Sequence, residues 1–313
     1  IRDRDMLADY ARFLRSLVDL STIRPLRVVV DAGNGMGGFT VPAVLGTQAG
    51  LPELPLTISP MYFELDGTFP NHEANPIDPA NLVDLSARVV QLGADLGLAF
   101  DGDADRCFVV DERGEPVSPS AITALIAEQV LEQEPGATII HNLITSRAVP
   151  EIIAENGGVP ERTRVGHSYI KASMARTGAA FGGEHSGHFY FRDFWRADSG
   201  MLAAMNVLSV FGATPVGTSL SDVMAKYERY HATGEINSEV ADVAGSLAAV
   251  RDAFADRGEV DELDGLTVSG PDWWFNVRPS NTEPLLRLNA EAADEDTMAA
   301  LRDDVLAVIR GGS

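Results

Sequence analysis

The chain has 313 residues, of which 45% are hydrophobic and 22% charged, enough for two or three domains with cores of their own. Its formal charge of −22 argues against nucleic acid and anionic membranes as partners, and no apolar run reaches the roughly 20 residues of a membrane helix. The single cysteine, Cys107, excludes an intrachain disulfide and favours a cytoplasmic location.

The first 117 residues alternate helix-like and strand-like segments. An amphipathic helix is predicted over "MLADYARFLRSLVDL", where Leu7, Tyr10, Leu14 and Leu17 share one face. A buried strand "LRVVV", a turn "DAGNGMGG", a helix "PANLVDLSARVVQLG" and the short strands "LGLAF" and "CFVV" follow. This alternation predicts an α/β layer with a mostly parallel sheet.

The alternation restarts at Ser118, with a helix "SAITALIAEQVLEQ", a strand "ATIIHNL" and two further helices and strands up to about residue 230. Beyond that point, strands such as "WWFNVR" and "LLRLNAEA" lie between two helices. The sequence therefore predicts an α/β fold: two consecutive three-layer units with mixed or parallel sheets, then a smaller α+β domain. The predicted domains are residues 1–117, 118–230 and 231–313.

The segment "DGDADR" places Asp101, Asp103 and Asp105 at every second position, followed by Arg106. Small residues between the carboxylates allow the backbone to curl until all three converge on one cation, and oxygen ligands suit Mg²⁺ or Ca²⁺. An adjacent guanidinium and a magnesium ion with open positions would together hold a phosphoryl group.

Two alternatives compete with a magnesium site. An EF-hand would place Asp101, Asp103, Asp105 and Glu112 at loop positions 1, 3, 5 and 12, but Arg106 stands where that loop requires glycine and the flanks resemble strands. An acidic turn between two strands is the structural alternative. The sequence favours magnesium.

The segment "RPSNTEP" lies between two predicted strands. Its candidate donors are the side chains of Arg278, Ser280, Asn281 and Thr282 and the backbone N–H groups between two prolines. Arginine binds phosphate through two hydrogen bonds, and backbone nests bind anions. The sequence thus predicts a phosphate cradle, although Pro-Ser-Asn is also ordinary hairpin chemistry.

Two further segments carry candidate substrate groups. In "GGEHSGH", Glu184 and Ser186 could bind sugar hydroxyls, and His188 could exchange protons near neutral pH. In "RVGHSYIKASM", His167 precedes a helix with Ser168 as its predicted N-cap, where anions are favoured. Structural histidines and solvated surface charge are the alternatives.

The segment "GNGMGG" fits a dinucleotide-binding pattern formally, but the next strand, "LPLTIS", does not end in the acidic residue that would hold a ribose. A tight strand-to-helix turn is the simpler interpretation.

Taken together and in this order, "DGDADR", "GEHSGH" and "RPSNTEP" resemble the α-D-phosphohexomutase family. The segments "DAGNGMGG", "FELDGTFPNHEANP" and "TRVGHSYIK" are also similar to that family, so the resemblance covers essentially the whole chain. It is closest to the bacterial phosphomannomutase/phosphoglucomutase branch.

The resemblance implies roles for the candidate residues. The three aspartates would ligate Mg²⁺, Arg106 and His188 would be catalytic, and the remaining groups would bind substrate: His167, Glu184, Ser186, Arg278, Ser280, Asn281 and Thr282. Asn281 and His185 stand where amino-sugar enzymes of the family carry Gly and Gln. They therefore favour mannose and glucose 1- and 6-phosphates as substrates.

The resemblance also implies a two-step phosphoryl transfer through a phosphoserine and a 1,6-bisphosphate. Members of the family begin with another α/β domain that bears this serine in a Ser-His-Asn-Pro-like loop, which the sequence lacks. We therefore expect a fragment that is inactive alone and has the missing N-terminal domain as a partner. A non-catalytic phosphosugar-binding module, a phosphoglucomutase and a phosphoglucosamine mutase are the alternatives.

Overall fold

The computed structural model describes residues 4–280 and 283–311. Within these residues it contains three five-stranded sheets that follow one another along the chain. None of the helices in these ranges combines the length and the apolar character needed to cross a bilayer.

The first unit begins with helix α1 (Leu7–Leu17), which buries Ala11 and Leu14. Its other elements are β1 (Leu26–Asp31), α2 (Gly37–Val44), β2 (Leu56–Met61), a 3-10 turn (Pro79–Leu82), α3 (Val83–Leu92), β3 (Leu96–Phe100), β4 (Cys107–Val110) and β5 (Pro116–Val117). The strand order is β2-β1-β3-β4-β5. Strand β1 is parallel to both its neighbours, whereas β4 and β5 continue the sheet antiparallel.

The second unit repeats this arrangement. Its elements are α4 (Pro119–Gln133), β6 (Thr138–Asn142), α5 (Ala148–Glu155), β7 (Val159–Thr163), α6 (His167–Thr177), β8 (Phe181–Gly183), β9 (Phe189–Phe191), β10 (Ala197–Asp198), α7 (Gly200–Gly212) and α8 (Leu220–Met224). Strand β6 lies between the parallel strands β7 and β8, and β9 and β10 continue antiparallel. The predicted N-cap of α6 is wrong: the helix begins at His167, and Gly166 occupies the cap position with φ 128°.

The third unit has a wholly antiparallel sheet in the order β11-β15-β14-β13-β12. Its elements are β11 (His231–Glu239), α9 (Val243–Phe254), β12 (Glu259–Asp261), β13 (Leu266–Ser269), β14 (Trp273–Pro279), β15 (Leu285–Ala292) and α10 (Glu295–Gly311). Helices α9 and α10 pack against each other and against this sheet. The predicted α/β architecture with a smaller α+β unit is thus confirmed.

The hydrophobic core differs between the units. One continuous core runs through the first two units, from Ala11 to Tyr227, and α7 joins them by packing on both β4 and α4. The third unit has a core of its own. A small cluster of Leu143, Ile144 and Trp274 connects it to the second unit. The first two units therefore share one hydrophobic core, whereas the third unit is joined to the second through a much smaller apolar cluster.

Candidate active site

The acidic loop lies between β3 and β4. Ala104 adopts a left-handed conformation with φ 62°, which turns the chain between the second and third aspartates. Carboxylate oxygens of Asp101, Asp103 and Asp105 consequently lie within 4.8 Å of one another. The structure brings together the three carboxylates that the sequence predicts as metal ligands.

Arg106 holds this loop in shape. Its backbone N–H donates to Asp101 Oδ1 at 3.0 Å, and its Nε donates to Asp101 Oδ2 at 2.7 Å. Its Nη1 donates to Asn75 Oδ1 at 3.0 Å. Asp101 is buried and paired with a guanidinium, so one of the three negative charges is already partly compensated.

Asp105 is the member of the cluster with a buried carboxylate oxygen that lacks a hydrogen bond in the described part of the chain. Its Oδ1 is buried, and within the described residues it has no hydrogen-bond partner. Burial and the negative charges of Asp101 and Asp103 raise the pKa of Asp105 to about 7. Without a cation, the Asp105 carboxyl group therefore holds its proton to a higher pH than an isolated aspartate does.

This donor set fits a divalent metal ion. Three convergent carboxylates, one of them with an orphaned buried oxygen, supply hard oxygen ligands and leave room for further ligands. A cation would remove the repulsion that raises the pKa of Asp105. Magnesium suits this chemistry because it binds a few carboxylates and keeps other positions for water or phosphate.

The acidic loop directly contacts the loop of residues 182–188, which is the predicted sugar-binding loop. Arg106 and His188 form an antiparallel bridge, and the Cys107 N–H donates to the Gly187 carbonyl at 3.3 Å. The turn closes through two backbone hydrogen bonds between Glu184 and its neighbours Gly187 and His188. The first and second units therefore contribute adjacent loops to one site.

Gly187 allows this close approach. It has φ 85°, and a Cβ atom at this position would lie 2.4 Å from Phe108 Cε2. We expect Gly187→Ala to destabilise the protein by about 2 to 5 kcal/mol, because left-handed strain adds to a clash in a packed region. Urea unfolding of both proteins would measure this difference in free energy.

Gly178→Ala is the matched control. Gly178 ends α6 with φ 72°, but a Cβ atom there would have no atom within 4 Å. This variant should show only the backbone strain, about 1 to 2 kcal/mol. Equal losses for the two variants would mean that Phe108 moves aside and that the contact between the loops does not need glycine.

Glu184 is buried and already engaged. Its Oε1 accepts from Asn142 Nδ2 at 3.3 Å and from the Gly166 N–H at 3.1 Å, and its Oε2 accepts from Tyr190 OH at 2.7 Å. These bonds tie the sugar-binding loop to β6, to the start of α6 and to β9. A sugar hydroxyl that bound Glu184 would have to share these acceptor oxygens.

His188 is the last residue of the predicted sugar-binding loop and lies where this loop meets the acidic loop. Its Nδ1 shares a hydrogen bond of 2.9 Å with Ser186 Oγ, and its Nε2 lies 3.6 Å from Asp105 Oδ1. Burial lowers its pKa, which keeps the imidazole neutral near pH 7. A neutral imidazole beside a metal site can accept a proton from a substrate hydroxyl.

His167 lies at the start of α6, close to Glu184. It is exposed at the first position of α6, one residue after the Gly166 N–H that donates to Glu184. The predicted substrate-binding histidine is thus placed beside the sugar-binding loop at a helix N-terminus.

The cradle segment, residues 278–284, begins with the last two residues of β14. Arg278 is buried, with a side chain only 8% exposed, and its Nη2 donates to Glu235 Oε2 at 2.5 Å. Arg287 on β15 contacts the other oxygen of Glu235 at 3.2 Å and lies 3.5 Å from Ser280 Oγ. Asn281 and Thr282 lie outside the described residues, so their predicted contribution is not tested.

The cradle is next to the sugar-binding loop. His185 is close enough to Glu235 and Arg278 for both charges to act on its pKa, which burial lowers overall. His185 also lines a cavity of about 630 Å³, together with Phe108 of the first unit, Ser146 of the second and Glu291 of the third. Among the described residues, the side chains of the acidic loop and the two cradle arginines do not line this cavity.

Sequence reasoning missed several residues of this site. They are Asn75, which holds Arg106; Asn142 and Tyr190, which hold Glu184; Asp198, which clusters with Asp105 and His188; and Glu235 and Arg287, which join the cradle. The neighbouring "NHEANP" segment was a possible signal for Asn75. Tyr190 and Arg287 lie within three residues of the predicted segments but on the following strands, and Asn142, Asp198 and Glu235 come from other strands, where no local pattern identified them.

Comparisons with known proteins agree along the whole chain. Family models described as phosphoglucomutase/phosphomannomutase alpha/beta/alpha domain II, alpha/beta/alpha domain III and C-terminal domain match residues 8–114, 118–230 and 235–308, respectively. A phosphomannomutase of Salmonella montevideo is 39% identical over 96% of this chain and 66% of that protein. One of Escherichia coli is 36% identical over 99% of this chain and 68% of that protein. The chain thus spans about two thirds of the length of these curated relatives.

Solved structures give the same answer. A phosphoglucomutase/phosphomannomutase family protein from Burkholderia thailandensis superposes with a TM-score of 0.87 at 32% identity, covering 99% of this chain and 65% of that one. The fold also matches Aspergillus fumigatus N-acetylphosphoglucosamine mutase, solved with GlcNAc-6P and magnesium, with a TM-score of 0.69 at 15% identity over 98% of this chain and 64% of that one. The chain therefore belongs to the phosphoglucomutase/phosphomannomutase family, as the resemblance of its three motifs predicts.

Proposed function

We propose that this chain carries the metal-, sugar- and phosphate-binding groups of a phosphomannomutase-type enzyme that interconverts hexose 6-phosphates and hexose 1-phosphates. The observation that carries the proposal is the contact of the acidic loop with the loop of Glu184 and His188, together with the position of His185 in that loop near Glu235 and Arg278. The proposed domains are residues 1–117, 118–230 and 231–313, each contributing one of these parts.

Each group has a proposed task. Arg278 and Ser280, with Asn281 and Thr282, hold the phosphate that does not react, while His167, Glu184 and Ser186 orient the sugar. Asp101, Asp103 and Asp105 hold Mg²⁺, which when bound offsets negative charge at the transferring phosphoryl group. The magnesium and sugar phosphate found with the Aspergillus relative support this assignment.

Arg106 and His188 are the proposed catalytic residues. Arg106 lies in the acidic loop beside the proposed metal ligand Asp101, and its proposed role is to stabilise charge on the oxygens of the transferring phosphoryl group. His188 takes the proton of the attacking sugar hydroxyl in the first transfer and gives it to the other sugar oxygen when the phosphoryl group of that oxygen passes to the serine in the second. The proton that the serine oxygen gains in the first transfer and loses in the second is exchanged with solvent. The lowered pKa of His188 suits the first transfer at neutral pH.

The reaction balances as two reversible transfers. A phosphoserine gives its phosphoryl group to the free hydroxyl of the bound hexose phosphate, forming a 1,6-bisphosphate and a serine hydroxyl. The bisphosphate then turns over in the site, and its other phosphoryl group returns to the serine. One fixed cradle must therefore accept either phosphate, which explains why it stands apart from the metal.

The proposed substrates are mannose phosphates, with glucose phosphates as the second choice. His185 and Asn281 support this preference over amino sugars, and the curated relatives are named phosphomannomutases. Phosphoglucomutase and phosphoglucosamine mutase are the alternatives that a substrate panel would separate.

The first experiment follows both turnover and binding of mannose 1-phosphate by the 313-residue chain. The reaction would contain Mg²⁺ and a trace of hexose 1,6-bisphosphate. We expect binding without turnover, because we propose that the phosphoserine belongs to a further domain of the same protein. Turnover by the chain alone would mean that one of its own residues carries the phosphoryl group, and absence of binding would contradict the proposed function.

Arg278→Ala tests the cradle. We expect the affinity for mannose 1-phosphate to fall at least about tenfold, since a charged hydrogen bond contributes about 1.5 to 3 kcal/mol. Calorimetric titration with and without the substitution measures the change. Arg302→Ala, which removes a partly exposed guanidinium on α10 that pairs with Asp303, is the control and should leave the affinity unchanged. An unchanged affinity for Arg278→Ala would remove this residue from the site.

A further inference from the structure

Two arginines of the cradle face each other across neighbouring strands. Arg278 on β14 is the direct register partner of Arg287 on β15. Like charges directly opposite each other in a sheet repel, and Arg278 is also buried. An anion between the two guanidinium groups is needed to offset this repulsion.

Glu235 supplies that anion in the structure. It lies on β11, which pairs with the far side of β15. Its Oε2 accepts from Arg278 Nη2 at 2.5 Å, and its Oε1 accepts from Arg287 Nη1 at 3.2 Å. One carboxylate therefore bridges both guanidinium groups.

The bridge leaves donors unused. Arg278 Nη1 and Arg287 Nε are both buried, and neither has a hydrogen-bond partner in the described part of the chain. A carboxylate has two oxygens, whereas a phosphate has three or four. A phosphate at this position could satisfy donors that Glu235 leaves orphaned.

We propose that Glu235 is an internal competitor for phosphate, which occupies the anion position between Arg278 and Arg287 and lowers the affinity of the cradle. This inference rests on the proposed phosphate role of Arg278. A competitor would be useful in the proposed reaction, because the bisphosphate must leave the cradle and return in the opposite orientation. Very tight binding of either phosphate would slow that exchange without helping the chemical step.

The test measures the affinity of the 313-residue chain for inorganic phosphate by calorimetry. Glu235→Gln keeps the size of the side chain but removes its charge, and we expect it to bind phosphate at least tenfold more tightly than the unaltered chain. Glu239→Gln is the matched control, because it removes the same charge from an exposed position of the same strand. It should change the affinity less than twofold.

A second variant covers the case in which Glu235→Gln unfolds because two arginines are left unbridged. Glu235→Asp keeps the charge on a side chain one methylene shorter, which weakens its hold on both guanidinium groups. We expect it also to bind phosphate more tightly than the unaltered chain. Thermal unfolding of each variant establishes which of them are folded.

The outcomes separate the inference from the proposed function. The inference alone would be overturned by one pattern of results: the unaltered chain binds phosphate, Arg278→Ala does not, and the folded Glu235 variants bind it equally or more weakly than the unaltered chain. Glu235 would then be a residue that positions the arginines. Absence of phosphate binding in every variant would contradict both the cradle and its competitor. Tighter binding in the Glu235 variants, with Glu239→Gln unchanged, would support the inference.

Discussion

Replacing Asp103 with Asn should lower the affinity of the chain for Mg²⁺ at least about a hundredfold, since changes to outer partners of metal sites alone cost 10- to 100-fold. Asp103 is the informative member of the three. Asp101 pairs with Arg106 and Asp105 contacts His188, so their replacement would disturb the loop itself. Asp103 is exposed and makes no hydrogen bond or ion pair within the described residues. Calorimetric titration with Mg²⁺ measures the change.

The same variant should behave in the opposite way without metal. In EDTA at neutral pH, Asp103→Asn removes one of the charges that raise the pKa of Asp105, so the unfolding temperature should rise slightly. In Mg²⁺ it should fall below that of the unaltered chain, because a bound ligand stabilises only the protein that binds it. Asp252→Asn, which removes an exposed charge from α9, controls for net charge.

One combination of results would contradict the metal assignment. If Asp103→Asn bound Mg²⁺ as tightly as the unaltered chain and lost stability in EDTA, Asp103 would be a structural residue of the turn. The acidic loop would then be the turn between strands that the sequence also allows. In the whole protein, unchanged metal-dependent turnover would lead to the same conclusion.

The convergence of the three carboxylates could be predicted from sequence because the residues are local. Asp101, Asp103 and Asp105 lie within five residues, so any turn that the small residues allow brings their carboxylates together. Strands β1, β3 and β4 could be predicted for the same reason, because each is a short apolar run bounded by turn residues. In both the acidic loop and these strands, residues that are close in sequence determine the local structure.

Helix α7 illustrates why other parts could not be predicted. Eleven of its 13 residues are buried, because it packs between the first two units. A helix buried on all sides lacks the alternation of apolar and polar faces by which periodicity identifies helices. Its sequence is only an apolar run, and its orientation depends on both neighbouring units.

The cradle shows a third kind of difficulty. Arg278 could be predicted from its loop, but Glu235 and Arg287 reach it only through the pairing of β11, β14 and β15. Strand β11 is mostly exposed and carries polar and charged residues, so its sequence does not resemble a buried strand. The register of β11 cannot be derived from sequence without the tertiary fold. For that reason the bridge that Glu235 forms between Arg278 and Arg287 could not be predicted either.

In the proposed full-length enzyme, replacing His188 with Asn should lower kcat by about 10² to 10⁴, the range that general acid–base catalysis contributes. The amide of asparagine lies at the position of Nδ1, so it can keep the hydrogen bond to Ser186 but cannot accept a proton at neutral pH. We therefore expect KM for mannose 1-phosphate to change less than threefold, because the cradle and the sugar-binding loop remain intact. Initial-rate kinetics over a range of substrate concentrations separate the two parameters.

The ratio of these two effects decides the role of His188. Loss of an interaction that is made only in the transition state lowers kcat and kcat/KM equally, whereas loss of a group that only binds substrate raises KM. A tenfold rise in KM with unchanged kcat would make His188 a substrate-binding residue and leave the proton without an acceptor among the residues assigned here. His188→Ala distinguishes loss of the proton acceptor from loss of loop structure, because it also breaks the contact with Ser186. If only the alanine variant is impaired, the histidine supports the loop, and the hydroxyl must lose its proton to another group.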